Sequence, residues 1–144
     1  MNSKHNIYWI DIFIFLFFGV FHTHRIWAFF DREGYVDFWE QILENEVTYL
    51  LLLTTLAVLC IIGFIIFLKN YGENPWWRWI YIFGGGYLLF DVFAIYFNLK
   101  FWNELIEFMN DVTNPYWNLI WGIFVIIGIF SLILGCYLIH KKNS

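Results

Sequence analysis

Four stretches of the chain stay apolar for longer than a membrane is thick, and two shorter stretches alternate apolar and acidic positions with a helical period. The long stretches cover about 8–30, 47–68, 76–97 and 117–139. Each reaches the roughly 20 residues an α-helix needs to cross the hydrocarbon layer. The second carries no charge. The first is interrupted by Asp11 and by His22-Thr23-His24-Arg25, and the third carries Arg78 at its start and Asp91 inside. In the shorter stretches, Tyr35, Phe38, Trp39, Ile42 and Leu43 recur on one helical face with Asp37, Glu40 and Glu44 between them. Phe101, Trp102, Leu105, Ile106 and Met109 do the same opposite Asn103, Glu104 and Glu107. This spacing predicts amphipathic helices over about 35–46 and 98–111, lying in the headgroup layer or folded over the mouth of the bundle. Asn74-Pro75 and Asn114-Pro115 each predict a helix start, with Asn as N-cap and Pro in the first helical position. The pattern as a whole predicts an all-α fold. It is an antiparallel four-helix transmembrane bundle with two short amphipathic interfacial helices on the outer side, making one integral-membrane domain over 1–144.

Composition narrows the class. Hydrophobic residues are 61% and charged residues 14% of the 144, against roughly 45–50% and 25% in soluble domains. With aromatics at 25%, a soluble chain this short could not bury its apolar surface, and a disordered one would be poor in aromatics. A formal net charge of −4 without a basic patch speaks against a nucleic-acid partner. The lipid bilayer is the expected surrounding, in a plasma (cell) membrane.

Orientation follows from Lys and Arg. With the N-terminus inside, Lys4, Lys69, Arg78, Lys141 and Lys142 face the cytoplasm, while Arg32 and Lys100 lie outside with Arg25 nearby. Four spans then make both termini cytoplasmic. Asp31, Glu33, Asp37, Glu40, Glu44, Glu46, Glu104, Glu107 and Asp111 all fall in the two outer connections. The first apolar stretch is followed by bulky aromatics instead of a small-residue cleavage site, so it reads as a retained helix. Tyr8, Trp9, Trp27, Trp76, Trp77, Trp79, Trp117 and Trp121 sit where interfacial belts belong.

The candidate chemistry lies inside the spans. A carboxylate in the bilayer interior costs about 2.5–3.5 kcal/mol on insertion scales, so Asp91 needs a partner. Counting residues from the inner end puts His22 at a similar depth, where the two could meet, either as a structural hydrogen bond that sets helix register or as a proton-sensitive ion, proton or ligand site. His24 and Arg25 complete the candidate ligand or ion site, although Arg25 and Asp11 also suit charges reaching water at the boundaries. His22 and His24 point apart on a regular helix, and His5 and His140 lie at the inner surface, so neither a metal nor a haem is expected. No cofactor is. Tyr87, Phe90 and Phe93 near Asp91 suggest an aromatic pocket. Gly84, Gly85 and Gly86 suggest either tight packing or a hinge. Gly128, Ser131 and Gly135 form a small-residue face suited to helix packing, and the expectation is a homodimer through it. Cys60 and Cys136 read as small buried hydrophobes.

No catalytic motif is present, and the chain does not read as an enzyme. The first functional expectation is a small multi-pass protein acting through membrane partners in an accessory, immunity or regulatory role. The alternatives are a small transporter or channel with an ion or proton site around Asp91 and His22, and a lipid-modifying or lipophile-binding protein with an aromatic intramembrane pocket.

Overall fold

The computed structural model of the chain describes residues 6–143. Lys4 and His5, which enter the orientation and metal readings above, lie outside them. Every regular element among the described residues is helical. In order these are α1 (Trp9–Thr23), a 3-10 segment (His24–Phe29), α2 (Arg32–Glu44), α3 (Glu46–Lys69), a 3-10 turn (Trp76–Arg78), α4 (Trp79–Tyr96), α5 (Lys100–Asn110) and α6 (Trp117–Asn143). Four helical stretches are long and apolar enough to cross a membrane: Trp9–Phe29, Glu46–Lys69, Trp76–Tyr96 and Trp117–Asn143. The two amphipathic helices occur as α2 and α5. The described residues gather into two compact units, one of Asn6 and Asn45–Asn103, the other of Ile7–Glu44 and Glu104–Asn143.

In the second unit α1 packs along α6. A Cβ built on Gly19 would lie 2.6 Å from Leu132 Cγ, and one on Gly128 would lie 2.6 Å from Thr23 N and 2.9 Å from the His22 carbonyl carbon. One on Gly135 would lie 2.7 Å from Leu16 Cδ2. Numbers rise along one helix as they fall along the other, so the pair runs antiparallel, and at Gly128 only glycine lets the backbones approach this closely. Ser131 Oγ donates to Phe15 O at 2.8 Å across the same seam. The small-residue face of α6, the one that suggests a homodimer through Gly128, Ser131 and Gly135, packs against α1 of its own chain. The far ends are tied as well. Asp11 Oδ2 accepts from Tyr8 N at 2.8 Å, and Lys142 Nζ donates to Ile7 O above the Trp9 ring. Asp11 is fully buried, not a boundary charge reaching water.

In the first unit α3 packs against α4. Asn45 Oδ1 caps α3 by accepting from Thr48 N at 3.0 Å, the side-chain service that an N-cap supplies to an orphan amide. The chain turns between the helices at Gly72, whose φ of +87° is open to glycine. Asn74 does not cap the next helix. Its Nδ2 donates to Phe67 O at 2.8 Å, closing the end of α3, and Pro75 stands at the N-cap. Asn114 does act at its helix start, with Oδ1 accepting from Tyr116 N at 2.9 Å. At the end of α4, Leu99 N donates to Ala94 O and Asn98 N to Ile95 O, with Asn98 at φ +53°. This is a Schellman stop with Asn in the left-handed position, and it folds the chain back into α5. The glycine triplet leaves α4 unbroken. A Cβ on Gly84, Gly85 or Gly86 would meet its nearest neighbour at 3.5 Å or more, which is ordinary contact. The triplet therefore marks no enforced close approach within this unit.

Candidate functional site

The candidate polar residues fall into two clusters, one in each unit. In the α1–α6 unit the helix tightens from α to 3-10 at His24 and stays so for six residues, longer than such runs usually last. Three residues per turn divide this segment into stripes. Arg25 and Ala28 share the stripe toward α6. The Arg25 guanidinium lies over the rings of Trp121 and Phe124, at 5.7 and 4.6 Å, and over Phe21 of α1 at 5.1 Å. Ala28 is fully buried, and its carbonyl accepts from Trp117 Nε1 at 2.8 Å. His24 and Trp27 share the stripe toward α2. The His24 ring lies 6.1 Å from Tyr35 and 5.4 Å from Trp39, and Trp27 lies 5.5 Å from Phe38. Ile26 and Phe29 form the third, exposed stripe.

These stripes give α2 its place. Asp31 Oδ1 accepts from Gly34 N at 2.9 Å at its start. Arg32 reaches Val112 O at 2.9 Å and lies over Trp117 at 5.5 Å. Tyr35 is buried against Trp121 at 5.1 Å. Ala28, Tyr35, Trp117 and Trp121 thus form an aromatic core with α2 folded onto it. Burial pushes the Tyr35 phenol above its ordinary pKa, and the neighbouring Arg25 partly opposes this. Arg25 Nη1 donates to His22 Nδ1. His24 Nδ1 donates to Phe21 O at 2.5 Å, which leaves its Nε2 buried without a hydrogen-bond partner. Trp121 Nε1–H is likewise buried and has no acceptor. Arg25 is accordingly a half-buried cation caged by rings, and His22 and His24 face different partners.

In the α3–α4 unit Asp91 stands five residues before the end of α4 at Tyr96, about 7.5 Å along the axis, nearer the helix end than the middle. Its Oδ1 accepts from Trp102 Nε1 of α5 at 2.6 Å. Phe90 and Tyr87 pack on that indole at 5.2 and 6.2 Å, while Phe93 pairs with Phe97. The aromatics near Asp91 thus enclose a side chain of the protein itself. Arg78 is buried, with Nη2 donating to Asn6 O at 2.5 Å.

Sequence spacing leaves Trp102, Tyr35, Trp39, Trp117 and Trp121 out of the site. Trp77, Trp117 and Trp121 read as belt residues, yet all three are buried. The usable signals were Tyr35/Trp39 and Trp117/Trp121, each an i, i+4 aromatic pair aligned on one helical face. Cys60 is buried as expected, whereas Cys136 is exposed. Among the described residues no group of three His, Cys, Asp or Glu could hold a metal ion. No family model, curated protein or solved structure matches the chain.

Proposed function

We propose that this is a four-span integral membrane protein that works through contacts with membrane partners, in an accessory, immunity or regulatory role, and not by catalysis. In this reading the four long helices form an antiparallel bundle with both termini cytoplasmic, and α2 and α5 lie at the outer face. One observation carries it: the chemistry-bearing side chains inside the spans are committed to internal bonds. Arg25 bonds His22, His24 bonds the Phe21 carbonyl and Asp91 takes the Trp102 proton donor, as structural polar contacts between and within membrane helices do. What remains for a partner is the exposed acidic side of α2, with Glu33, Asp37, Glu40 and Glu44. It suits a partner with basic juxtamembrane residues.

The test is photo-crosslinking from positions 37 and 40 in native membranes. The expected result is a discrete adduct with a second polypeptide, lost when Glu33 and Glu44 are changed to Lys and retained in Asp91→Asn. An adduct that survives the charge reversal, or none at all, overturns the partner reading. Cysteine labelling from outside, with Cys60 and Cys136 replaced, tests the topology. Positions in 31–46 and 100–114 should label, and positions 70 and 141 should not.

A further inference from the structure

Successive residues of an α-helix lie about 100° apart around its axis, and on α5 this sorts the side chains onto three faces. Trp102, which is buried, marks the face turned to the protein. Asn103, Glu104, Glu107 and Asn110 occupy about a third of the circumference on the far side. Phe101, Leu105 and Phe108 make the third face. They form a ridge at i, i+4 and i+7, next to the Trp102 face and about 130° round from the middle of the polar one. The chain leaves this ridge uncovered, with the three residues 57, 39 and 49% exposed. In α2, by contrast, Tyr35 is 1% exposed, and the helix is folded onto the aromatic core.

The level of α5 indicates what covers the ridge. Only residues 97–99 separate α4 from α5. Trp102 Nε1 reaches back to Asp91, about 7.5 Å inside the end of α4. Asn103 Nδ2 donates to Asn98 Oδ1 at 2.5 Å and braces the same turn. The first turn of α5 is thereby held at the level where α4 ends, instead of standing off in water. Helix α4 ends with the Trp76–Tyr96 stretch, so on the membrane-spanning reading that level is the boundary between acyl chains and headgroups. An apolar ridge beside a polar face is what a helix lying in this layer requires. Its charge narrows the lipid. Helices that bind anionic lipid carry a basic polar face, whereas α5 sets two carboxylates against Lys100 alone.

We propose that α5 is a surface anchor lying along the membrane at the end of α4. Phe101, Leu105 and Phe108 seat among zwitterionic lipids, Glu104 and Glu107 stay in water, and the Trp102–Asp91 bond sets the level. This rests on the membrane-spanning reading and deepens it, by separating a lipid-borne α5 from a protein-borne α2.

The experiment uses the full chain in phosphatidylcholine vesicles, with Cys60 and Cys136 replaced and one nitroxide-labelled cysteine per molecule. Collision rates with oxygen, which concentrates in lipid, are compared with those of a water-soluble nickel chelate. Labels at 101, 105 and 108 should favour oxygen and labels at 104 and 107 nickel, a reversal of the ratio around one helix. Nickel-dominated collisions along the ridge would place it in water. Low rates with both reagents would place protein over it, from this chain or a second copy. Either result overturns the anchor. Trp102→Phe keeps a ring but removes the donor, and should cost the ridge labels part of their preference for oxygen. An unchanged ratio overturns the role given to the bond. In phosphatidylglycerol vesicles the ridge ratio should fall, and it should recover when Glu104 and Glu107 are changed to Gln. An equal or higher ratio in phosphatidylglycerol overturns the choice of zwitterionic lipid. Labels at 58 and 61, exposed apolar positions near the middle of α3, report separately on the spans. If they favour oxygen while the ridge does not, the anchor alone fails. If they do not, the membrane-spanning reading fails and the anchor with it.

Discussion

The two helix pairs use glycine in opposite ways. Along α1 and α6 a side chain on Gly128 would strike the backbone of Thr23, and Ser131 adds a hydrogen bond across the seam. Along α3 and α4, Gly63 would meet only the Tyr81 side chain at 3.1 Å, and Gly85 only Phe64 and Cys60 at 3.5 and 3.8 Å. One pair is joined backbone to backbone, the other by side chains that can shift. The three consecutive glycines stand out more in the sequence, yet it is the isolated Gly19 and Gly128 whose added Cβ would strike backbone, at 2.9 Å from Leu132 N and 2.6 Å from Thr23 N. Glycine identity and helical spacing do not distinguish these cases, because the distinction lies in what stands opposite.

The sharpest way to break this contrast is bulk at the seam. Gly128→Leu should abolish folding of the α1–α6 pair, read as loss of a cooperative unfolding transition in detergent, since overpacking against backbone costs at least about 1–3 kcal/mol. Gly85→Ala should cost nothing measurable and can add up to about 1 kcal/mol from helix propensity. A similar loss in both variants would erase the difference between the pairs.

A smaller effect tests the indole bonds, one per unit. Trp102→Phe leaves the Asp91 carboxylate short of a donor and should cost about 1–3 kcal/mol. In Asp91→Asn the amide oxygen still accepts from Trp102, so the cost should be smaller. A larger loss in Asp91→Asn than in Trp102→Phe would mean that the charge itself matters. Trp117→Phe removes the bond to the Ala28 carbonyl and should detach α2 from its core, read as faster hydrogen exchange in Arg32–Glu44. Next in size is Asp11→Ala, which removes an amide acceptor at the start of α1 and should cost about 1 kcal/mol.

The smallest effect is in alkali. The Tyr35 phenol has a raised folded pKa, so its contribution is complete below the unfolded value of about 10 and fades as pH rises through the folded value. The α1–α6 unit should lose midpoint above about pH 10, and Tyr35→Phe should blunt that loss. An unchanged alkaline slope in Tyr35→Phe would exclude the phenol as its cause.

The sequence made the four long apolar helices and both amphipathic helices legible, because apolar length and 3.6-residue spacing are local properties that tertiary packing rarely overrides. The partners were less legible. Asp91 is satisfied by Trp102 only because Asn98 takes a left-handed turn that brings α5 back on α4, and an Asn at that point reads as any polar loop residue. Asp11 looks like a charge at a boundary, whereas its burial depends on the chain just before α1 and on the end of α6 tied to it by Lys142. His22 and His24 diverge on an ideal helix. They diverge in the structure too, His22 toward Arg25 and Phe124 and His24 toward Tyr35 and Trp39, as a two-residue spacing dictates in either winding.

The 3-10 winding also affects how far the first span reaches. At about 1.5 Å per α residue and about 2.0 Å per 3-10 residue, the fifteen residues of α1 and six of the 3-10 segment rise roughly 34 Å, where an unbroken α-helix would give roughly 31 Å. The hydrocarbon layer is about 30 Å thick. On the membrane-spanning reading, drawing out the last two turns gives this short helix a margin of about one further α-residue at each end, enough to tilt without thinning the surrounding lipid.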